Sequence, residues 1–505
     1  MMTDHDFNLY AHFHKQFQKH ADKVLLTTEL GQEYRYIDIR LESARLACFL
    51  TEMGIQVGDR ISVQVQKSPQ ALCLYLACLQ AGFVFHPLNT GYQESELEYF
   101  LNNAEPTLVV CDESALSTMQ RLASTAGVPH VLTLNSDGTG SLIARSRSAS
   151  TDFTAVVRAA DDLAALLYSS GTTGVPKGIM LSHANLLCNA ESLVQAWGFT
   201  DEDCLFHALP IFHVHGLFVA LGCVLLSGAS MQWQPGFNAK NAVALLPRCS
   251  VMMGVPTYYT RLLNEENFNR DTVKTMRLFI SGSAPLLVET FNEFEQRTGH
   301  SILERYGMTE TNMNTSNPLQ GERKPGTVGL PLPGVTVRIT DEENNVIANG
   351  EVGNLQVTGP NVFKGYWKMP EKTAEDFTSE GFFNTGDKGR IDEDGYVAIV
   401  GRAKDMVITG GLNVYPKEIE LLVDDLPGVK ESAVIGVPHS DFGEAVVAIV
   451  VSKVGEQPTE NDIISAVKNS LANFKVPKRV VFVSELPRNT MGKVQKNVLR
   501  ERYQD

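Results

Sequence analysis

The stretch Leu166-Leu167-Tyr168-Ser169-Ser170-Gly171-Thr172-Thr173-Gly174-Val175-Pro176-Lys177-Gly178 decides how the rest of the chain is read. An apolar strand runs into a loop of small hydroxyl and glycine residues that holds one lysine. Glycine lets a backbone approach a ligand closely and take positive φ. Exposed N–H groups and hydroxyls around such a bend form a concave anion site, and Lys177 adds a compact charge. A Walker A loop needs four residues between its first Gly and a Gly-Lys-Ser/Thr end, and the order G-T-T-G-V-P-K-G does not supply that. Three Gly and four Ser/Thr around one Lys favour a phosphate cradle over a plain turn.

Working outward, Ile61–Gln66 alternates as a strand with one buried face, Ala71–Gly82 reads as a helix, and Thr107–Cys111 as a short buried strand. Strands alternating with helices predict an α/β layered domain with parallel sheet. The further strands Leu163–Tyr168, Ser250–Gly254 and Arg277–Ser281 each end in a loop rich in Gly, Ser, Thr or Pro, where open α/β sheets gather ligands. Asn135–Ser150, rich in Ser, Gly and Thr, reads as a surface loop. A Gly- and Asp-rich stretch, Asn384–Gly395, reads as poor in strand and precedes a boundary near Gly401-Arg402-Ala403-Lys404-Asp405. Beyond it helix (Lys417–Leu426), strand (Ser432–Val437), strand (Ala445–Ser452), helix (Glu460–Leu471) and strand (Arg479–Val483) make a small α+β unit. The expected domains are 1–402 and 403–505.

With 505 residues the chain has room for about two to four domains. Its net charge of −15 disfavours a nucleic-acid or anionic-membrane binder, since both are polyanions. The charge is uneven: Lys468–Arg502 holds nine basic and two acidic residues, a solvated face or a surface for a phosphate-bearing ligand. The eight Cys form no C-x-x-C pair and sit in apolar runs, as buried thiols do in a reducing compartment. The N-terminus lacks a basic region followed by an apolar one, and Leu217–Leu226 is too short for a bilayer, which needs about 20 residues. A cytoplasmic protein is expected.

Five further segments follow in order: Ser281-Gly282-Ser283-Ala284-Pro285, Glu304-Arg305-Tyr306-Gly307-Met308-Thr309-Glu310, Thr385-Gly386-Asp387, Gly401–Asp405, and Pro487-Arg488-Asn489-Thr490-Met491-Gly492-Lys493-Val494. With the phosphate loop, this ordered set resembles the adenylate-forming enzymes: acyl- and aryl-CoA synthetases, luciferases and peptide-synthetase adenylation domains. The resemblance implies a large N-terminal domain of layered sheets and helices with a small distorted barrel, and a smaller mobile C-terminal lid. It implies ATP, Mg2+ and coenzyme A as partners in a two-step ligation through an acyl-adenylate. Ser169, Thr172, Thr173, Lys177, Ser283, Ala284, Tyr306, Gly307, Met308, Thr309, Asp387, Arg402 and Lys493 would bind ATP. Within that set Thr172, Thr173 and Lys177 would hold the β- and γ-phosphates, Tyr306 would stack on adenine, and Asp387 would accept from the ribose hydroxyls. Thr309, Glu310 and Lys493 would be catalytic, with Glu310 on magnesium. Lys404 would be the hinge, and Gly410 and Gly411 would line the coenzyme A channel. The basic stretch near the C-terminus would help hold the coenzyme's phosphates.

The acid is read from Pro210-Ile211-Phe212-His213-Val214-His215-Gly216, Gly254–Arg261, Ser281–Pro285 and Thr311–Asn314. A fatty-acid pocket is lined by small and apolar groups, whereas these segments offer Arg261, two His, Asn312 and Ser283. A buried carboxylate needs a cation, and Arg gives a bidentate match. Gly254–Arg261, Glu304–Pro318, Asn361–Lys372 and Pro487–Arg500 resemble malonyl-CoA synthetases. That resemblance implies malonate as substrate, with Arg261 and Ser283 on its far carboxylate and one of His213 and His215 facing it. Methylmalonate, one methyl larger, fits the same reading, because a methyl group changes binding by only about 1–3 kcal/mol. The rivals are a synthetase for another short acid, a stand-alone enzyme loading a carrier protein, a luciferase-like oxygenase, and a catalytically dead homologue. Only 12 residues follow Lys493, so no fused carrier is expected. Glu310 and Lys493, which a dead homologue should have lost, are both present.

Overall fold

The computed structural model describes residues 6–169, 176–409, 412–439, 443–455, 458–471, 473–489 and 492–504. Thr172, Thr173, Gly410 and Gly411 lie outside the described residues. Two large sheets form the N-terminal part. One has nine strands in the order Leu330–Pro331, Asn312–Ser316, Leu303–Met308, Leu278–Ser281, Val251–Gly254, Cys204–His207, Ser230–Trp233, Val24–Thr28, Glu33–Arg35. Its interior pairings are parallel and both edges are closed by antiparallel ones. The other has six strands, His130–Thr133, Leu108–Cys111, Arg60–Gln64, Val84–Pro87, Leu163–Ser169 and Lys177–Ser182. Its last two strands are an antiparallel hairpin whose connection is the phosphate loop.

The helix Pro69–Ala81 shows how local sequence sets up the core. Ser68 caps it by accepting from the Ala71 amide at 3.1 Å, Pro69 opens it, and Gly82 ends it at φ +70°. Every residue but Gln70 is buried, as befits a helix apolar on all sides. It belongs to the largest apolar cluster, which also takes in residues of both sheets. The run 217–225 is likewise buried, in a π-helix, His215–Ala220, that continues into the helix Leu221–Ser227. Among the described residues no helix is long and apolar enough to cross a membrane.

Three expectations change. Asn384–Gly395 is not poor in strand, because Phe383–Ile391 is a nine-residue strand between Gly353–Thr358 and Val397–Arg402. Its buried side chains include Thr385, Asp387 and Lys388, so apolar alternation is missing and the antiparallel ladder defines it. The expected barrel is a four-stranded antiparallel sheet, Thr336–Thr340, Gly353–Thr358, Phe383–Ile391, Val397–Arg402, whose first and last strands do not pair. Within the predicted surface loop 135–150, Ser141–Ser146 forms a short helix.

The C-terminal sheet comprises Val407–Thr409, Leu412–Val414, Val429–His439, Gly443–Ser452 and Arg479–Val483. The helices Pro416–Asp424 and Glu460–Ser470 pack on it around Val434, Val446 and Ala448. The basic stretch is largely used inside this unit. Lys475 pairs with Glu418, Arg488 with Glu431, Lys496 with Glu420 and Arg500 with Asp405. That leaves a smaller free basic surface for coenzyme phosphates than the sequence suggests.

Candidate active site

The site assembles where the strands of the nine-stranded sheet run out. Leu303–Met308 delivers Tyr306, Gly307 and Met308, and the turn after it delivers Thr309 and Glu310. Gly307 sits at a register shift against Asn312–Ser316, where a Cβ would lie 1.9 Å from the Asn312 carbonyl oxygen. Only glycine lets the strands approach this closely.

Asp387 and Arg402 face each other as cross-strand partners. Arg402 Nε donates to Asp387 Oδ1 at 2.7 Å, and the Tyr306 hydroxyl donates to Asp387 Oδ2. Asp387 is 3% exposed, yet each of its oxygens keeps acceptor capacity for a further hydroxyl. Burial, and then the Asp387 charge, raise the Tyr306 hydroxyl far above its ordinary value and keep it a donor. The Asp387 carboxylate in turn raises Arg402.

Glu310 is buried, and burial raises its carboxyl above the usual range, opposed by its own backbone amide and by Arg402, Lys177 and Lys493. Among the described residues no cluster of three acidic, His or Cys side chains could hold a metal by itself. One buried carboxylate does suit magnesium, which binds through one or two carboxylates plus substrate phosphates. Lys177 Nζ lies 3.7 Å from Asp376 Oδ2 and 4.5 Å from the centre of the Tyr366 ring. Nothing is described of the Ser169 side chain.

The C-terminal unit reaches into this site. A Cβ on Gly492 would lie 3.5 Å from Thr257 Oγ1, on the helix Pro256–Leu263. Lys493 is exposed to the cleft, but protein encloses the cleft around it. Desolvation therefore lowers the Lys493 ammonium, as does the charge of Arg402, while Asp387 and Glu310 oppose the change. Lys404, in the short turn Ala403–Asp405, is exposed, yet desolvation by the protein around it lowers it too.

The acid-pocket residues are distributed unevenly. Ser283 takes φ +70°, and its hydroxyl lies 3.2 Å from His215 Nδ1. His215 is buried and His213 half-buried; His213 lines a small pocket with Phe212, Leu167 and Thr309. Burial, and then the Lys493 charge, lower His213 to about 4, so it is neutral near pH 7. Burial, and then Arg305, lower His215 as well. Arg261 is exposed, and no hydrogen bond or ion pair engages it among the described residues. Its helix buries Tyr259, Leu262 and Leu263 and turns Arg261 to the side of Thr257, one turn earlier.

Sequence reasoning missed Arg305. It is 3% exposed, and its Nε and Nη2 have no hydrogen-bond partner among the described residues. Its guanidinium fills the place of the missing side chain at Gly282, where a Cβ would lie 2.4 Å from it. It therefore stands next to Ser283, on the His215 side. The available signal was an Arg inside a strand, between Leu303 and Met308, with no patterned acidic partner.

The AMP-binding enzyme family matches residues 13–367, and the AMP-binding enzyme C-terminal domain matches residues 418–493. The malonate–CoA ligase of Arabidopsis thaliana is 36% identical over 480 residues, covering 89% of this chain and 78% of that protein. The crystal structure of ATP-bound MatB from Rhodopseudomonas palustris is 53% identical, covers 99% of both chains and superposes with a TM-score of 0.96. Apo MatB from the same organism, at the same identity and coverage, superposes with a TM-score of 0.87. The arrangement of this chain is thus nearer to the nucleotide-bound form.

Proposed function

The chain belongs to the AMP-binding enzyme family, and from that premise we propose that it is an AMP-forming malonate–CoA ligase. One carboxylate oxygen of malonate attacks the α-phosphorus of ATP, pyrophosphate leaves, and malonyl-adenylate forms. The thiol of coenzyme A then attacks the malonyl carbonyl and AMP leaves. The first step needs no base, because the acid is already ionised near pH 7. The protein has to bring two anions together and neutralise charge at phosphorus.

In this reading Lys493 bridges the attacking carboxylate and the α-phosphate, with Thr309 on the same phosphate. Lys177 and the hydroxyls of Thr172 and Thr173 take the β- and γ-phosphates. Asp387, steadied by Tyr306 and Arg402, accepts from the ribose. Glu310 would hold a magnesium ion, which when bound neutralises phosphate charge. For the second step the unit 403–505 turns about Lys404, withdraws Lys493 and brings Gly410 and Gly411 to the thiol path. The eight cysteines are all free, which supports a reducing compartment such as the cytoplasm.

The observation that carries malonate is the buried guanidinium of Arg305, whose Nε and Nη2 have no hydrogen-bond partner among the described residues, packed against Gly282 next to Ser283 and acting on His215. An unpaired buried charge is strongly unfavourable, and a dicarboxylate brings the counter-charge to it. Arg305, Ser283 and His215 therefore take the far carboxylate, and His213 stands by the reacting end near Lys493, while Arg261, exposed on its helix, is left outside this set. The test is pyrophosphate release across short mono- and dicarboxylates. Malonate should far exceed acetate and octanoate, and equal rates with either would overturn the assignment.

A further inference from the structure

Lys67 follows the strand Arg60–Gln64, in the turn before the buried helix, and no motif claims it. Part of the residue reaches solvent, but protein encloses its ammonium. Nζ lies 2.7 Å from His207 Nδ1, 2.8 Å from the His207 carbonyl oxygen and 3.0 Å from the Leu209 carbonyl oxygen. It also sits 4.2 Å from the centre of the Trp233 ring, at cation–π distance. On the far side of the imidazole, His207 Nε2 lies 3.0 Å from the Gly216 carbonyl oxygen.

A carbonyl oxygen only accepts, so His207 Nε2 carries a hydrogen. Burial lowers both Lys67 and His207 well below their ordinary values, and the three acceptors around Nζ oppose that at Lys67. A neutral pair would leave one of the three acceptors around Nζ without a donor.

The contacts also straddle a segment. Lys67 holds its start at 207 and 209, and His207 holds its end at 216. Between them lie His213 and His215. The fold back at Gly216 is tight, since a Cβ there would lie 2.1 Å from the Pro210 carbonyl oxygen.

We propose that Lys67 is a positioning residue for the acid pocket: through His207 it pins the 207–216 segment at both ends and so sets His213 and His215 before the acid arrives. This inference rests on the reading of malonate as the acid.

The test compares full-length wild type and K67M in pyrophosphate exchange driven by malonate or propionate, with ATP titrated separately. Methionine keeps an unbranched stem near Trp233 and removes every donor. The expected result is a malonate KM raised about tenfold or more, an ATP KM within about twofold, and a malonate-to-propionate preference reduced at least about fivefold. A merely structural role would lower both acids together, and that equal loss, or an unchanged malonate KM, overturns the proposal. If K67M does not fold, H207N keeps both carbonyl contacts of Lys67 and removes the bond to Gly216. It should show the same split with at least about a threefold rise in malonate KM, and equal loss for both acids again overturns it. Wild type without malonate preference sinks the reading of the acid. Wild type with that preference, beside a K67M that keeps it, sinks only the role of Lys67.

Discussion

Gly492 of the C-terminal unit rests against Thr257 of the helix that carries Arg261, close enough that a Cβ at 492 would touch the threonine hydroxyl. That contact delivers Lys493 to the cleft where Glu310, Asp387 and Arg402 already act on its charge. Two ion pairs flank the joint behind it. Arg402 is tied to Asp387 before Lys404, and Asp405 is tied to Arg500 after it. Each pair ties the chain to its own side, which leaves residues 403 and 404 between the two ties.

Removing the Lys493 ammonium separates the two half-reactions. K493A should slow malonate-dependent pyrophosphate exchange by about 10²–10³-fold, the usual effect of losing one transition-state donor. Preformed malonyl-adenylate should still be converted to malonyl-CoA at close to the normal rate, because the lysine has left the site by then. Single-turnover assays of each half measure this, and equal failure of both would refute the two-position picture.

The two arginines of the acid site should differ. R305M removes a buried guanidinium and with it charge-assisted hydrogen bonds to the far carboxylate. Each such bond contributes about 1.5–3 kcal/mol, so kcat/KM for malonate should fall roughly 10- to 150-fold or more, while propionate changes little. R261A removes an exposed charge, and its loss should stay within about fivefold. Steady-state kinetics with both acids decide. A larger malonate-specific loss at Arg261 would return the far carboxylate to that residue.

Much of this was legible in the sequence wherever burial follows apolar pattern. Arg60–Gln64, Pro69–Ala81 and Leu278–Ser281 lie within a residue or two of their expected bounds, because side chains of one kind face one environment there. The strand Phe383–Ile391 escaped because it buries Thr385, Asp387 and Lys388, and polar residues satisfied across a ladder leave no hydrophobic period. Arg305 escaped for the same reason, since its burial depends on the gap that Gly282 leaves in three dimensions. The basic C-terminal stretch misled because its partners, Glu418, Glu420, Glu431 and Asp405, lie far off in sequence.

The hydroxyl of Tyr306 is separable from its ring. Y306F keeps a face for adenine and removes the donor to Asp387. The aspartate then loses one of its two side-chain supports, Arg402 being the other. A hydrogen bond to a charged group contributes about 1.5–3 kcal/mol, part of which the ribose hydroxyls restore once bound. The expected outcome is an ATP KM raised roughly three- to tenfold with the malonate KM unchanged. A raised malonate KM would show that Tyr306 serves the acid pocket instead.

Asp424 gives the interdomain crevice a pH dependence of stability. It lines that crevice with Leu421 and Leu422, and Ser432 donates to it at 2.8 Å. Burial raises its carboxyl to about 7; Lys417 and Ser432 oppose the rise and Glu420 adds to it. The folded state thus holds a proton that the unfolded chain releases near pH 4. Between those two values the folded form binds more protons, so stability from this group falls as pH rises and levels off above about 7. D424N removes the charge and keeps an acceptor for Ser432. The margin by which its melting temperature exceeds that of the wild type should be small at pH 5 and wider at pH 8 by at least about 2 °C. Melting curves of both proteins across pH 5–8 measure the difference, and a gap that is largest at pH 5 would show that Asp424 is ionised and favourably paired in the folded protein.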